Sequence, residues 1–383
     1  MLNMFKVINK DTRTTSLTSF WCLSKYKFHP SILLITETIK SKHHFSFQHV
    51  EKSDIDKEIR LLNPRKATPQ GTIPAKLLKL SSNVSSGVLH TLFNEMVTTD
   101  TFSDNLKKAD ITPAHKKKDP LDKTNYRPVS VLPSVSKLFE KLMQKQITEY
   151  MSEHLSPYLC GYRKGYNSQQ ALISLIESWR KHLDNKGFGG AVLMDLSKAF
   201  DTIKHDLLIA KLHAYGFEKK SLKLVYSYLN NRSHRTKINN DFSSWQELIQ
   251  GVPQGSVLGP LLFNIYLNDL FFLPESTDVC NYADDTTFYA CDTDLKSLIQ
   301  RLEHDSLLAI EWFENNSMKL NEDKCHLLVS GYKFENIWAK IGKAKIWESK
   351  SQKLLGVEID RTLNFNDHVR ILCNKAEIGR AHV

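Results

Sequence analysis

Long apolar runs are missing from this chain. The longest, such as Gly259 to Tyr266, fall far short of the about 20 residues that a bilayer-spanning helix needs. The first residues show no apolar core followed by a small-residue cleavage site, so a soluble cytosolic or nuclear protein that meets no membrane is expected. Six cysteines (Cys22, Cys160, Cys280, Cys291, Cys325 and Cys373) lie scattered, with no C-x-x-C pair and no clustered histidine. That excludes a zinc ribbon and a disulfide framework, and the thiols read as reduced. No internal repeat or low-complexity tract is present, which excludes a solenoid.

What is there is a globular composition: 383 residues, 41% hydrophobic and 25% charged, enough for a large core divided among two or three subdomains. Lys and Arg outnumber Asp and Glu by 52 to 42, a formal charge of +10, with runs at Lys116-Lys117-Lys118 and Arg232 to Lys237. The excess favours a polyanionic partner, against the plainer reading of a solvated basic face.

Residues 1–48 show no periodicity and read as a lead-in without assigned function. Ile55, Ile59, Leu61 and Leu62 then fit a short amphipathic helix closed by Asn63-Pro64, and a second helix begins at Ile73 after the Pro69-Gln70-Gly71 turn. Helices are expected near Val88–Val97 and Val135–Tyr150, the latter with Leu138, Leu142 and Ile147 on one side. Gly189-Gly-Ala-Val-Leu-Met-Asp195-Leu reads as a buried strand ending in an acid, followed by a helix at His205–Tyr215. Val279–Tyr289 reads as a hairpin with Asp284 and Asp285 in its turn. A long amphipathic helix from Leu295 to Phe313 and strands at His326–Ser330 and Lys353–Ile359 complete the pattern. The order of elements predicts an α+β fold with a small antiparallel sheet and acids at its ends and turns.

Asp195 or the Asp284-Asp285 pair, taken singly, is ordinary strand-end or turn chemistry. If strand and hairpin share one sheet, however, the three carboxylates converge into a divalent-metal site. Oxygen ligands suit Mg²⁺, and two such ions can drive an in-line phosphoryl displacement.

Around these acids stand longer words. Asp195-Leu-Ser-Lys-Ala-Phe-Asp201, Gly251-Val-Pro-Gln-Gly-Ser-Val-Leu-Gly-Pro260 and Tyr282-Ala-Asp-Asp285 occur in that order. They follow Asn125-Tyr-Arg-Pro-Val-Ser130 and Gly161-Tyr-Arg-Lys-Gly165, and precede Leu320-Asn-Glu-Asp-Lys324 and Lys353-Leu-Leu-Gly356. The series resembles the reverse transcriptases of non-LTR (LINE-type, jockey-like) retrotransposons, motif by motif, from about residue 50 to about residue 365.

The resemblance implies a right-hand polymerase fold and an RNA-directed DNA polymerase. Its partners are then an RNA template, a DNA primer and deoxynucleoside triphosphates, and its place of action the nucleus. It implies that Asp195, Asp284 and Asp285 hold two Mg²⁺ ions, with Mn²⁺ as the alternative. Phe200 matches the aromatic gate whose ring leaves no room for a 2′-hydroxyl. Gln254 and Gly255 match the nucleotide- and template-contacting loop, Arg127 and Lys137 the contacts to the triphosphate, and Lys324 a lysine near the leaving pyrophosphate. Asp201 is read as a brace for its motif and stays off the metal list. Tyr282 is expected to pack behind the acids. For Phe200 the plainer reading is a core phenylalanine, and for the three cations a solvated surface charge.

The expected organisation is lead-in 1–48, an N-terminal extension of the fingers at 49–94, the reverse transcriptase domain (fingers and palm) at 95–365, and the start of a truncated thumb at 366–383. Neither an endonuclease domain nor a full thumb is read in the chain. One codon set for Glu377–Val383 contains a common sequencing-adapter string, so this tail is expected to be a read-through artefact. Two alternatives compete with the polymerase reading: an RNA-dependent RNA polymerase, disfavoured by Phe200 where such enzymes carry a polar sugar-reading residue, and a truncated, non-catalytic nucleic-acid-binding remnant.

Overall fold

The computed structural model describes residues 23–40, 43–116, 119–331 and 336–380. Most of the first half of the lead-in, Lys117-Lys118 of the basic run, and the side chains of the 377–383 tail lie outside the described residues. The chain divides into two compact units. One comprises Met1–His154 and Phe200–Tyr266, the other Leu155–Ala199 and Leu267–Val383.

In the first unit, the helices at Lys52–Arg60, Ser82–Thr98 and Ser134–Met151 stand close to their expected positions. Leu138, Leu142 and Ile147 of the last are buried as its period requires, and Phe139 stacks on Phe93 with ring centroids 4.7 Å apart. Leu61 departs from the expected stripe: the helix stops at Arg60, one residue before it, and leaves it 62% exposed. A five-stranded sheet had no counterpart in the sequence pattern. It joins Tyr126–Val131, Lys108–His115 and Arg232–Ile238, with Asp241–Phe242 and Gln246–Leu248 as short partners of the last. Lys108–His115 and Arg232–Ile238 run parallel, so the α+β fold holds a mixed sheet in addition to the small antiparallel sheet that was expected. The Arg232–Lys237 run is likewise not a free basic face. Arg232 is buried and donates to the Tyr228 carbonyl, and Arg235 pairs with the buried Asp110 at 2.8 Å.

The second unit is built on a four-stranded antiparallel sheet in the order His326–Ser330, Phe188–Met194, Asp285–Asp292, Asp278–Tyr282. The glycine pair at its centre has a steric cause. A Cβ on Gly189 would meet the Trp179 ring at 2.7 Å, and one on Gly190 would meet Leu302 at 2.8 Å. Because neighbouring residues point to opposite faces, the central strand is pressed from both sides, by the helices Ser168–Asp184 and Leu295–Asn315. The buried carboxylate of Asp305 accepts the backbone N–H groups of Glu275, Ser276 and Thr277, which fixes the chain as it enters the hairpin.

Lys353–Ile359 does not form one strand. Leu355 (φ 49°) and Gly356 (φ 93°) make a two-residue turn that splits it into the hairpin Ser351–Leu354/Val357–Asp360. Two consecutive positive φ values define the turn whose twist suits a hairpin. A second hairpin, Trp338–Ile341/Ala344–Trp347, precedes it, and the helix Asn366–Arg380 follows.

Candidate active site

Strand register assembles the acids. Met194 pairs with Thr286 and Leu193 with His326, so Asp195 falls opposite Asp285 one step beyond the first pair and in line with Lys324 two steps beyond the second. The Lys324 ammonium donates to the Asp195 carboxylate at 3.0 Å, and the Asn321 N–H donates to the Asp195 carbonyl at 2.9 Å. A cleft along this row is lined by Asp195, Asp285, Thr286, Lys324, His326 and Lys353.

Asp285 retains solvent exposure, yet the protein atoms crowded around its carboxyl and then the charges of Asp284 and Asp195 push its pKa above the usual range. Lys324 opposes the shift. A divalent cation would relieve this like-charge crowding, and the all-carboxylate donor set suits a hard ion. Among the described residues no group of three or more His, Cys, Asp and Glu side chains closes into a ligand cage. An open set of acids fits an ion that keeps waters and completes its shell with substrate phosphates.

The turn that carries the acids is tight and strained. Tyr282 pairs with Asp285, leaving only Ala283 and Asp284 in the loop, and Ala283 takes φ 61°, a value that glycine adopts at far lower cost. Two features hold it. Asn281, fully buried, donates from Nδ2 to the carbonyls of Ala283 (3.1 Å) and Asp285 (3.2 Å) and to the Thr286 hydroxyl (3.0 Å). Gly161 lies flat against the turn: a Cβ there would stand 2.2 Å from the Ala283 nitrogen. The first glycine of Gly161-Tyr-Arg-Lys-Gly165 is therefore a spacer for the acidic turn. Tyr282 is 38% exposed.

The remaining candidates lie in the first unit. Gln254 donates from Nε2 to the Asp201 carboxylate at 3.0 Å. The Gln254 carbonyl accepts the Ser130 N–H at 2.7 Å, and Gly255 (φ 111°) would clash with the Ser130 carbonyl if it carried a Cβ. The Pro253-Gln254-Gly255 loop is thus seated on the end of the Tyr126–Val131 strand, joining two of the sequence words. Phe200 is half-buried and stacks on Phe263 at 4.5 Å, its planes 13° apart. Arg127 is exposed on its strand, and Lys137 is half-buried, its pKa lowered first by burial.

Sequence reasoning missed Asn281 and Glu140. Glu140 is fully buried, and its carboxylate accepts the N–H groups of Val257 (2.7 Å) and Leu258 (3.3 Å) and the Ser136 hydroxyl (2.9 Å). It therefore caps the helix Leu258–Leu267 that follows the loop. The available signal was an acid four residues after Ser136 and three before Met143, on the buried face of its helix.

Residues 115–359, more than half of the chain, match the family described as reverse transcriptase (RNA-dependent DNA polymerase), and the chain belongs to that family. Its relatives place it on the non-LTR retrotransposon (LINE-type) branch. It is 24% identical over 331 residues to the RNA-directed DNA polymerase from mobile element jockey of Drosophila melanogaster, covering 84% of this chain and 36% of the relative. The probable RNA-directed DNA polymerases from transposon BS (28% identical) and transposon X-element (29%) of the same organism each match over 73% of this chain and 32% and 31% of their own lengths. The chain thus spans about a third of these relatives. Among the described residues no helix is long and apolar enough to cross a membrane.

Proposed function

We propose that the chain carries the polymerizing centre of a LINE-type reverse transcriptase, extending a DNA primer on an RNA template with deoxynucleoside triphosphates. The observation that carries this reading is the register that brings Asp195, Asp285 and Lys324 into one row, with Asp284 in the adjoining turn. The unit holding the acids corresponds to a palm and the other to fingers. Asp195, Asp284 and Asp285 would hold two divalent ions, Mg²⁺ or Mn²⁺, which would supply positive charge for the primer 3′-hydroxyl and for the leaving pyrophosphate.

The chain's own side chains perform the rest. Lys324 sits beside Asp195 as a cation for the departing pyrophosphate. Phe200, held flat by Phe263, bars a 2′-hydroxyl. Arg127 and Lys137 engage the triphosphate, and the loop at Gln254 and Gly255 contacts nucleotide and template. Extension of a DNA primer on an RNA template with Mg²⁺, using this chain, its Asp284→Ala variant and a form extended beyond Val383, tests the reading. Extension by the longer form and none by the variant is expected; no product from the longer form would sink it.

A further inference from the structure

The segment Trp338-Ala-Lys-Ile-Gly-Lys-Ala-Lys-Ile-Trp347 carries a tryptophan at each end and a lysine third from each end, and the structure shows why. It is a hairpin in which Trp338 faces Trp347 and Lys340 faces Lys345 across the strands. Gly342 (φ 61°) and Lys343 form its two-residue turn. Ala339 and Ile341 lie on the inner face and are fully buried, with Gly342 seated over Ile310 of the helix Leu295–Asn315. An isolated two-stranded hairpin is marginal in water, so this buried side anchors it.

The outer side faces solvent. Trp338 is 43% exposed and Trp347 51%, and the Lys345 ammonium lies between the two indoles, 4.1 and 4.3 Å from their centroids. Three lysines and no acid occupy the ten residues. Of the flanking acids, Glu303 accepts the Lys340 N–H and Glu348 lies 3.8 Å from Arg361. None of the seven family motifs includes this hairpin.

We propose that the Trp338/Trp347 face binds single-stranded RNA. Paired indoles among three lysines match the chemistry of an unpaired strand, whose bases offer flat faces for stacking and whose phosphates need cations. A duplex hides its base faces and is not the fitting ligand. The proposal rests on the reading of the chain as an RNA-directed polymerase, to which it adds an RNA-contacting surface apart from the acidic row.

The test is binding of a labelled, unstructured RNA of about 20 nucleotides to the full chain, against an RNA–DNA duplex of equal length. Trp338→Ala/Trp347→Ala should weaken the single-strand affinity at least about 10-fold, Trp338→Phe/Trp347→Phe should recover most of it, and the duplex affinity should hold. Lys340→Gln/Lys343→Gln/Lys345→Gln should reduce the slope of log affinity against log salt by about 2, near 0.7 per lost phosphate contact. If hydrogen exchange shows that the alanine pair has opened the hairpin, the glutamine triple decides. Single-strand affinity within twofold of the parent in the folded variants overturns the proposal, as does an equal loss for duplex. Primer extension measured alongside separates the two readings: absent extension with this binding intact condemns only the polymerase, and intact extension with unchanged binding condemns only the RNA face.

Discussion

The two units hold their functional residues by different means. In the unit built on Phe188–Met194, the acids are placed by strand register, so their spacing follows from backbone pairing across neighbouring strands. In the other unit, the loop at Gly251–Pro260 has no strand of its own and is held from afar. Glu140 grips its helix start across 117 residues of sequence, Ser130 pairs with its Gln254 carbonyl, and Asp201 takes its amide. A register is hard to distort by a single side chain, whereas a loop pinned at three points yields when one pin is lost.

The comparison is sharpest at the acids. Asp284→Ala should cut primer extension by about 1,000-fold or more while leaving the metal-free melting temperature unchanged or raised, because the substitution removes like-charge crowding. A melting temperature that falls by several degrees would show that the acid supports the turn. Gly161→Ala should cost about 3 kcal/mol by forcing a methyl into the Ala283 backbone, measured by urea denaturation. Gly255→Ala should do comparable damage in the other unit.

Asn281 tests whether the turn depends on more than register. Asn281→Ala should cost about 2 kcal/mol and raise the Mg²⁺ concentration needed for half-maximal extension. Asn281→Asp should be worse, since a carboxylate cannot donate to the Ala283 and Asp285 carbonyls and adds a fourth negative charge. Equal Mg²⁺ requirements in the parent and both variants would leave Asn281 a plain core residue. Phe200→Ala should raise ribonucleotide use by about 10-fold relative to deoxynucleotides in kcat/KM, and unchanged sugar selection would remove the gate. The smallest effect belongs to Ala283→Gly, which should stabilise the chain by about 1 kcal/mol by relieving the positive φ.

Where the apolar pattern carried the information, the sequence was readable. The strand ending at Asp195, the acidic hairpin and the helices at Ser134 and Leu295 stand within a few residues of their expected places, because each buries a periodic face. The five-stranded sheet was not readable: Lys108–His115 and Arg232–Ile238 are polar and half-exposed, and their parallel pairing joins segments more than 100 residues apart. The glycine pair signalled a strand but not the squeeze between Trp179 and Leu302 that requires it. At the site, the acids were visible as words. The supports of the acidic turn and of the Gly251–Pro260 loop were not, because Asn281 and Glu140 act through backbone groups that leave no mark on a motif.

Both units are interrupted in sequence, and the chain passes from one to the other three times, after His154, Ala199 and Tyr266. During synthesis the last of the three acids emerges at Asp285, but the strand His326–Ser330 that flanks Phe188–Met194 is made some forty residues later. Until then the acid-bearing strand has an open edge, ready to pair with another chain. A copy of the element broken between those two points encodes every carboxylate of the centre and neither Lys324 nor the strand that shields it. Such a fragment is an aggregation hazard rather than a slow enzyme.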